Sequence, residues 1–134
     1  EQGVSDSLYI KSAMSFEDLA QHYRSADLVV FPSYYEGQGL IPLEALASGT
    51  PVVTVDQAPL TEMIDDTVGG LFDRGDFVGL AKAVCDELNG HVKRLKKAKS
   101  GRKRVLENFT LEGQAESYED VFMRSVQKRR WRDS

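Results

Sequence analysis

A nine-residue segment in the first half of the chain carries a carboxylate at each end, Glu36 and Glu44, and two glycines, Gly37 and Gly39, between them. The glycines make its first half a pliable loop. A helix is expected to begin within the segment, because Pro42 fits only in a first helical turn, where its missing N–H costs nothing. Exposed N–H groups at that start, backed by the helix dipole, would form an anion site. This chemistry favours a diphosphate, and the segment indicates a nucleotide-sugar site.

The elements around this segment must hold the loop and the helix start in place. The apolar run Leu28–Phe31 predicts a buried strand, and Pro32 ends it. The following helix is expected to end at Gly49, which fits the left-handed position just past a helix end. The donors at its start would then be the N–H groups of Leu40 and Ile41, and Glu44 is expected in the first turn.

Strands and helices alternate along the rest of the chain, which predicts a parallel α/β arrangement. Ser15 is placed to cap the first helix with its hydroxyl. The predicted strands are 8–10, 28–31, 51–55 and 70–72, and the predicted helices are 15–24, 40–48, 60–64, 76–88, 91–107 and 110–127.

The composition is that of a soluble globular domain, with 134 residues, 41% of them hydrophobic and 28% charged. No apolar run is long enough to cross a bilayer and no signal-peptide pattern is seen, so a cytoplasmic location is expected. Cys85 is predicted to be a small core residue, because it has no second cysteine to pair with. His22 and His91 stand apart from it and from each other. No metal and no cofactor are therefore predicted.

The charge of the chain is divided unevenly. Residues 1–90 hold 15 acidic against 4 basic side chains, whereas residues 91–134 hold 6 against 13. The basic tail is interpreted as a helix with a solvated cationic face. The alternative is a peripheral contact with anionic lipid, through this face or through residues 128–132. A nucleic-acid partner is not predicted, because the basic segment has few aromatic residues and the acidic body would repel a polyanion.

The segment and its flanks resemble a known family. Glu36 to Glu44 is similar to the paired-glutamate signature of retaining glycosyltransferases of family 4, which adopt the GT-B fold. Ser25–Ser33 looks like the strand before that signature, and Glu44–Val53 looks like the helix and strand after it. Glu62–Asp66 with Gly69–Phe72 is similar to the segment that leads to the last strand. The resemblance covers residues 8 to 88.

The resemblance implies a domain organisation. It predicts a partial Rossmann-like parallel sheet with flanking helices and a helical tail, the second half of a GT-B carboxy-terminal domain. Residues 1–88 would be the nucleotide-sugar-binding α/β segment, and residues 89–134 the carboxy-terminal helices. The chain is expected to be truncated. The amino-terminal acceptor domain of the family would lie outside it. So would the arginine and the lysine side chains that bind the diphosphate in the family. The final helix would leave Tyr118, Val121, Phe122 and Trp131 partly uncovered.

The resemblance also implies roles for the residues of the segment. Glu36 would be catalytic, lying near the transferred sugar, and Glu44 would accept hydrogen bonds from both ribose hydroxyls of the donor. The other implied donor-binding residues are Gly37, Gln38, Gly39, Leu40 and Ile41. Gln38 departs from the phenylalanine usual in the family, which leaves the identity of the donor sugar open. The structural alternative for Glu44 is a first-turn glutamate that favours the helix dipole, and for Glu36 a solvated loop residue.

The implied function is transfer of a sugar from a nucleoside diphosphate sugar to an acceptor with retention, by an enzyme of the hexosyltransferase type. The isolated chain is expected to be inactive, because the cleft between two domains is missing. Two alternatives remain open. One is a GT-B epimerase or phosphorylase, and the other is a non-catalytic nucleotide-binding or scaffold domain.

Overall fold

The computed structural model describes residues 3–130, without the side chains of residues 128–130. Three parallel strands form one sheet in the order β1-β2-β3. After a 3-10 turn at Ser5–Ser7, the elements are α1 (Phe16–Ser25), β1 (Val29–Phe31), α2 (Leu40–Ala47), β2 (Val52–Val55), α3 (Leu60–Met63), β3 (Gly69–Phe72), α4 (Phe77–Asn89), α5 (His91–Asn108) and α6 (Leu111–Arg130).

The predicted α/β fold with a helical tail is confirmed. Three predicted strands and all six predicted helices are present, and their bounds agree within one residue except at the end of α6. Ser15 caps α1 as expected, because its hydroxyl accepts a hydrogen bond from the N–H of Asp18 at 3.1 Å. Gly49 follows α2 with φ +84°, the left-handed conformation that the sequence predicted.

The central strand β2 organises the core. All four of its residues are buried, and their side chains alternate between the two faces, so both faces of the strand are covered. Its Val52 pairs with Val29 on one side and with Gly69 on the other. Each large apolar side chain buried here contributes roughly 1.5–3 kcal/mol. The buried core consists of Ala45, Leu46, Val52, Val53, Val55, Leu60, Met63, Ile64, Val68, Phe72 and Val105.

Two neighbouring helices fix the position of α2. On one side, Thr50 Oγ1 donates to the backbone oxygen of Tyr23 in α1 at 2.5 Å. On the other, Gly101 of α5 lies so close to α2 that an added Cβ would be 2.6 Å from Cδ2 of Leu46. The backbone of α2 is therefore held between α1 and α5.

Two predictions about strands are wrong. Residues 8–10 form no strand, and Leu8, Tyr9 and Ile10 are 68%, 82% and 88% exposed. They pair with none of the described strands, and an extended segment without a partner is not stabilised. The run that ends in β1 was expected to be buried, yet Val30 is 42% exposed. The reason is that β1 lies at an edge of the described sheet and pairs only with β2.

The prediction for Cys85 is also wrong, since this side chain is exposed. The inward face of α4 is formed by residues at helical spacing, namely Leu80, Ala83, Val84 and Glu87. Cys85 comes one residue after Val84, which turns it about 100° away from that face. The sequence pattern predicted the helix α4, but the side of the helix that is buried depends on its packing against β3.

An ion pair joins α5 to the turn after α3. Arg104 Nη2 donates to Oδ2 of Asp65 at 2.8 Å, and Arg104 Nη1 donates to the backbone oxygen of Met63 at 3.0 Å. Burial raises the pKa of Asp65, but hydrogen bonds from Arg104 and Thr67 and the Arg104 charge outweigh it and lower the pKa to about 2. Because 46% of the Asp65 side chain is exposed, the pair is expected to contribute only about 1 kcal/mol.

Acidification is expected to remove the contribution of this pair. The pKa of Asp65 is lower in the folded protein than its ordinary value of 3.8, so the contribution is complete above about pH 4 and falls as the pH drops towards 2. Urea unfolding of the wild type and of Arg104→Gln, from about pH 5 to about pH 2, measures it. The difference in unfolding free energy should shrink as the pH falls, and a constant difference would contradict the assignment.

Candidate functional site

The start of α2 presents backbone N–H groups without a protein partner. The helix begins at Leu40 after Gly39, whose φ is +78°, and no side chain caps it. Within residues 3–130, neither the Leu40 N–H nor the Ile41 N–H donates a hydrogen bond to the protein. Pro42 stands at the third helical position and has no N–H. The predicted exposed helix start is therefore present, with the positive end of the helix dipole behind it.

The two glycines before this start have different structural roles. Gly39 is buried, and a Cβ added to it would lie 2.8 Å from Cε of Met63 and 2.9 Å from Cδ2 of Leu60. Both its positive φ and the close packing of α3 require glycine there. Gly37 is exposed, and an added Cβ would meet nothing within 4 Å. Packing therefore does not explain the glycine at position 37.

Glu44 does not lie in the first turn of α2, contrary to the prediction. It is the fifth residue of a helix that begins at Leu40, and one turn of helix holds only 3.6 residues. The Tyr23 hydroxyl donates to Oε2 of Glu44 at 3.1 Å, and the carboxylate is half-buried. No donor to its second oxygen, Oε1, is found among the described residues. A favourable contact with the helix dipole falls off within the first turn and does not account for Glu44.

Tyr23 is held in its protonated form. Burial raises its pKa, and the hydrogen bond to Glu44 and the negative charge of that carboxylate raise it further, to about 12. The hydroxyl therefore stays protonated, and able to donate to Glu44, well above neutral pH. The sequence did not reveal this partner, because Tyr23 lies 21 residues before Glu44 and reaches it only when α1 packs beside α2.

The predicted site residues border two different clefts. One, of about 250 Å³, is lined by Glu44 with Phe16, Leu19, Ala20, Tyr23, Ala47 and Ser48. The other, of about 570 Å³, is lined by Gln38 and Leu40 together with Leu43, residues 108–110 and the first half of α6. Glu36 is half-buried and lines neither cleft. The structure thus places Gln38 beside the helix start and puts Glu44 on the side of α2 that faces α1.

The loop that carries Glu36 is anchored at its beginning. Gln57 Nε2 donates to the backbone oxygen of Tyr34 at 2.7 Å, and the Gly75 N–H donates to the Tyr34 hydroxyl at 3.2 Å. Arg74 packs against Tyr34 and Tyr35. Sequence analysis missed Arg74. The available signal was its position just after β3, because the carboxyl ends of parallel strands meet at one edge of the sheet and bring the following loops together.

The basic residues of α5 are only partly available to a ligand. Arg94 pairs with Asp27 at 2.8 Å, Lys97 pairs with buried Glu87, and Arg102 donates to the backbone oxygen of Ala47 at 2.8 Å. Arg104 pairs with Asp65, as described above. The prediction of a solvated cationic face is therefore wrong for Arg94, Lys97 and Arg104, whereas Arg102 is exposed. The lysines that remain exposed are Lys93, Lys96, Lys99 and Lys103.

Two kinds of feature are absent from residues 3–130. No three His, Cys, Asp or Glu side chains are grouped in a way that could hold a metal ion. No helix has the length and apolar character needed to cross a membrane. Trp131 and Arg132, named in predictions about the tail, lie outside the described residues.

Comparison with known proteins places the chain in a family. Residues 1–89 match the family model described as Glycosyl transferases group 1. A D-inositol 3-phosphate glycosyltransferase of Salinispora tropica is 35% identical over 131 residues, which is 97% of this chain and 27% of that protein. The corresponding protein of Corynebacterium kroppenstedtii is 44% identical over 75 residues, which is 53% of this chain and 17% of that protein. The chain therefore spans roughly a sixth to a quarter of these relatives.

Solved structures agree with this placement. Sucrose-phosphate synthase from Thermosynechococcus elongatus superimposes with a TM-score of 0.83 at 30% identity, over 93% of this chain and 32% of that one. A variant of S. aureus TarM in complex with fondaparinux, alpha-GlcNAc-glycerol and UDP gives a TM-score of 0.68 at 27% identity, over 77% of this chain and 21% of that one. The chain belongs to the group 1 glycosyltransferases, family 4 of the GT-B fold, and corresponds to part of their carboxy-terminal domain.

Proposed function

We propose that the chain is the donor-binding part of an enzyme that transfers a sugar from a nucleoside diphosphate sugar to an acceptor with retention. The observation that carries this proposal is the uncapped start of α2. It leaves the N–H groups of Leu40 and Ile41 available to an anion, and a Cβ added to Gly37 in the preceding loop would meet no described atom within 4 Å. Family membership supplies the class of reaction, since the matched model is one of glycosyltransferases.

The proposed chemistry needs no metal ion. As the bond between the anomeric carbon and the diphosphate breaks, negative charge grows on the phosphate oxygens. Preorganised N–H groups and the dipole of α2 stabilise that charge. In this proposal Gln38 and Gly39 complete the cradle, Glu36 contacts the transferred sugar, and Glu44 accepts hydrogen bonds from the ribose through Oε1, because Tyr23 already occupies Oε2.

The remainder of the enzyme is proposed to lie in further sequence. This chain spans 17% and 27% of the two relatives compared. The acceptor domain and the basic side chains that bind the diphosphate are therefore assigned outside residues 1–134. The apolar side chains Tyr118, Val121 and Phe122 of α6 are 59%, 57% and 66% exposed, as predicted, and are available to cover such a domain. Contact of the exposed lysines of α5 with anionic lipid stays a prediction.

The complete protein is expected to transfer sugar, and the 134-residue chain alone is not. UDP-sugars are the first donors to assay, because TarM was solved with UDP. D-inositol 3-phosphate is the first acceptor, because the relatives carry it in their name. The product should keep the anomeric configuration of the donor, which NMR measures. The chain alone lacks the cleft that orients the reactants and should show far less than the ~1 per second turnover common among enzymes.

The same assay separates the alternatives. A free sugar nucleotide with changed stereochemistry would indicate an epimerase, and cleavage that depends on inorganic phosphate would indicate a phosphorylase. Nucleotide binding without turnover by the complete protein would indicate a non-catalytic domain. Full turnover by the 134-residue chain would contradict the assignment of an acceptor domain to further sequence.

A further inference from the structure

Arg74 lies in the turn after β3, next to the loop that carries Glu36. Its guanidinium carbon is 5.1 Å from the ring centroid of Tyr34 and 5.1 Å from that of Tyr35, within the range of cation–π attraction. Its Nη2 donates to the Tyr35 hydroxyl at 3.0 Å. Within residues 3–130 Arg74 forms no salt bridge, although Asp73 precedes it directly. Its side chain is therefore committed to the two tyrosines.

Tyr34 joins the ends of all three strands. It lies just after β1, its backbone oxygen accepts from Gln57 after β2, and its hydroxyl accepts from Gly75 after β3. Arg74 covers both tyrosine rings. These contacts form an anchor at the beginning of the loop, and we call Tyr34, Tyr35 and Arg74 the aromatic clamp.

A second anchor lies at the other end of the same loop. Gly39 is wedged against the side chains of Leu60 and Met63 in α3. Between the two anchors, residues 36–38 make no hydrogen bond within the part of the chain that the structure describes. The position of Glu36 therefore depends on the anchors and not on hydrogen bonds of its own.

We propose that Arg74 is a positioning residue that holds Glu36, through the aromatic clamp, at the donor site. The inference rests on the proposed function of Glu36. Small displacements of a group that contacts the reacting sugar lower the rate strongly, because the reaction requires a narrow range of distances and angles. Arg74 is exposed and contributes nothing to the buried core, so its loss changes the loop while the sheet stays intact.

Backbone ¹⁵N relaxation of the 134-residue chain tests the clamp without donor or acceptor. In Arg74→Ala, the order parameters of the amides of residues 35–38 should fall into the flexible range, below about 0.6, whereas the amides of β2 keep wild-type values near about 0.85. Arg74→Lys should be intermediate, because it keeps the charge but loses the planar group that covers both rings. The control is Arg124→Ala, which removes an exposed arginine paired with Asp120 on α6, and it should leave the loop unchanged.

Kinetics of the complete enzyme test the consequence for Glu36. Arg74→Ala should lower kcat about tenfold and leave the affinity for free UDP within about twofold, with partial recovery in Arg74→Lys. Unchanged order parameters in the loop of Arg74→Ala overturn the proposal, as does an equal loss of order in the loop and in β2, which would make Arg74 merely structural. A loss of order in the loop with an unchanged kcat also overturns it. A wild type that transfers no sugar would instead count against the proposed function.

Discussion

Replacing Lys97 by methionine is expected to cost the domain about 3–5 kcal/mol of unfolding free energy, because it leaves the charge of Glu87 buried without its partner. The two side chains are 5% and 4% exposed and form a short ion pair between α5 and α4. Lys97 also donates to the backbone oxygen of Gly69 in β3. Lys97 contacts Oε1 of Glu87, and Oε2 has no hydrogen-bond partner among the described residues, so no other described group could compensate the lost charge.

The matched variants separate the lost partner from the lost lysine. Lys93→Met changes an exposed lysine of the same helix and should stay within about 0.5 kcal/mol of the wild type. The double variant Glu87→Leu/Lys97→Met removes both charges and should recover most of the loss, because apolar side chains fill such a site at little cost. Denaturant unfolding at neutral pH measures all three. If Lys97→Met is as stable as the wild type, the claim that buried Glu87 needs Lys97 as its partner is contradicted.

The second large effect is expected at Glu44. Glu44→Ala should weaken UDP binding by about 1.5–3 kcal/mol, the range for hydrogen bonds to a charged group, or roughly 10- to 150-fold in Kd. Glu36→Ala should leave UDP binding nearly unchanged and lower kcat, because its proposed partner, the sugar, is absent from UDP and its contact strengthens in the transition state. Calorimetry with UDP and steady-state kinetics of the complete enzyme measure the two effects.

Tyr23→Phe is the control for Glu44→Ala. It removes the hydrogen bond to Oε2 and keeps both the ring and the carboxylate, so UDP affinity should stay within about threefold of the wild type. Equal losses in the two variants would mean that packing between α1 and α2, and not the ribose contact, explains the result. A wild-type kcat in Glu36→Ala would mean that Glu36 is only a solvated loop residue.

Local signals in the sequence predicted much of this fold. The cap at Ser15, the proline in the first turn of α2 and the glycine just past it each require one backbone conformation, and all three occupy it. Predictions failed where strand pairing or burial depends on contacts between residues far apart in the sequence. Within the described residues, Tyr9 lies in a segment that lacks a partner strand, Val30 lies on an edge strand, and Cys85 faces away from β3.

The candidate site shows the same division. The helix start and the glycine loop could be placed from sequence, because proline and glycine act within a few residues of themselves. The contact of Tyr23 with Glu44 and that of Arg74 with Tyr35 join residues 21 and 39 positions apart. No local pattern encodes such pairs, and they arise only when α1 packs on α2 and the loops after β1 and β3 meet.

Titration of the isotope-labelled 134-residue chain with UDP, followed by amide NMR shifts, tests the donor site most directly. The account predicts saturable shifts that are largest at the amides of Gly37 to Ile41, where the loop and the dipole of α2 converge. The same titration of Gly37→Ala should show weaker binding without loss of stability, because a Cβ at this position meets no protein atom. Shifts confined to the exposed lysines of α5, or no saturable shift at the start of α2, would contradict the account.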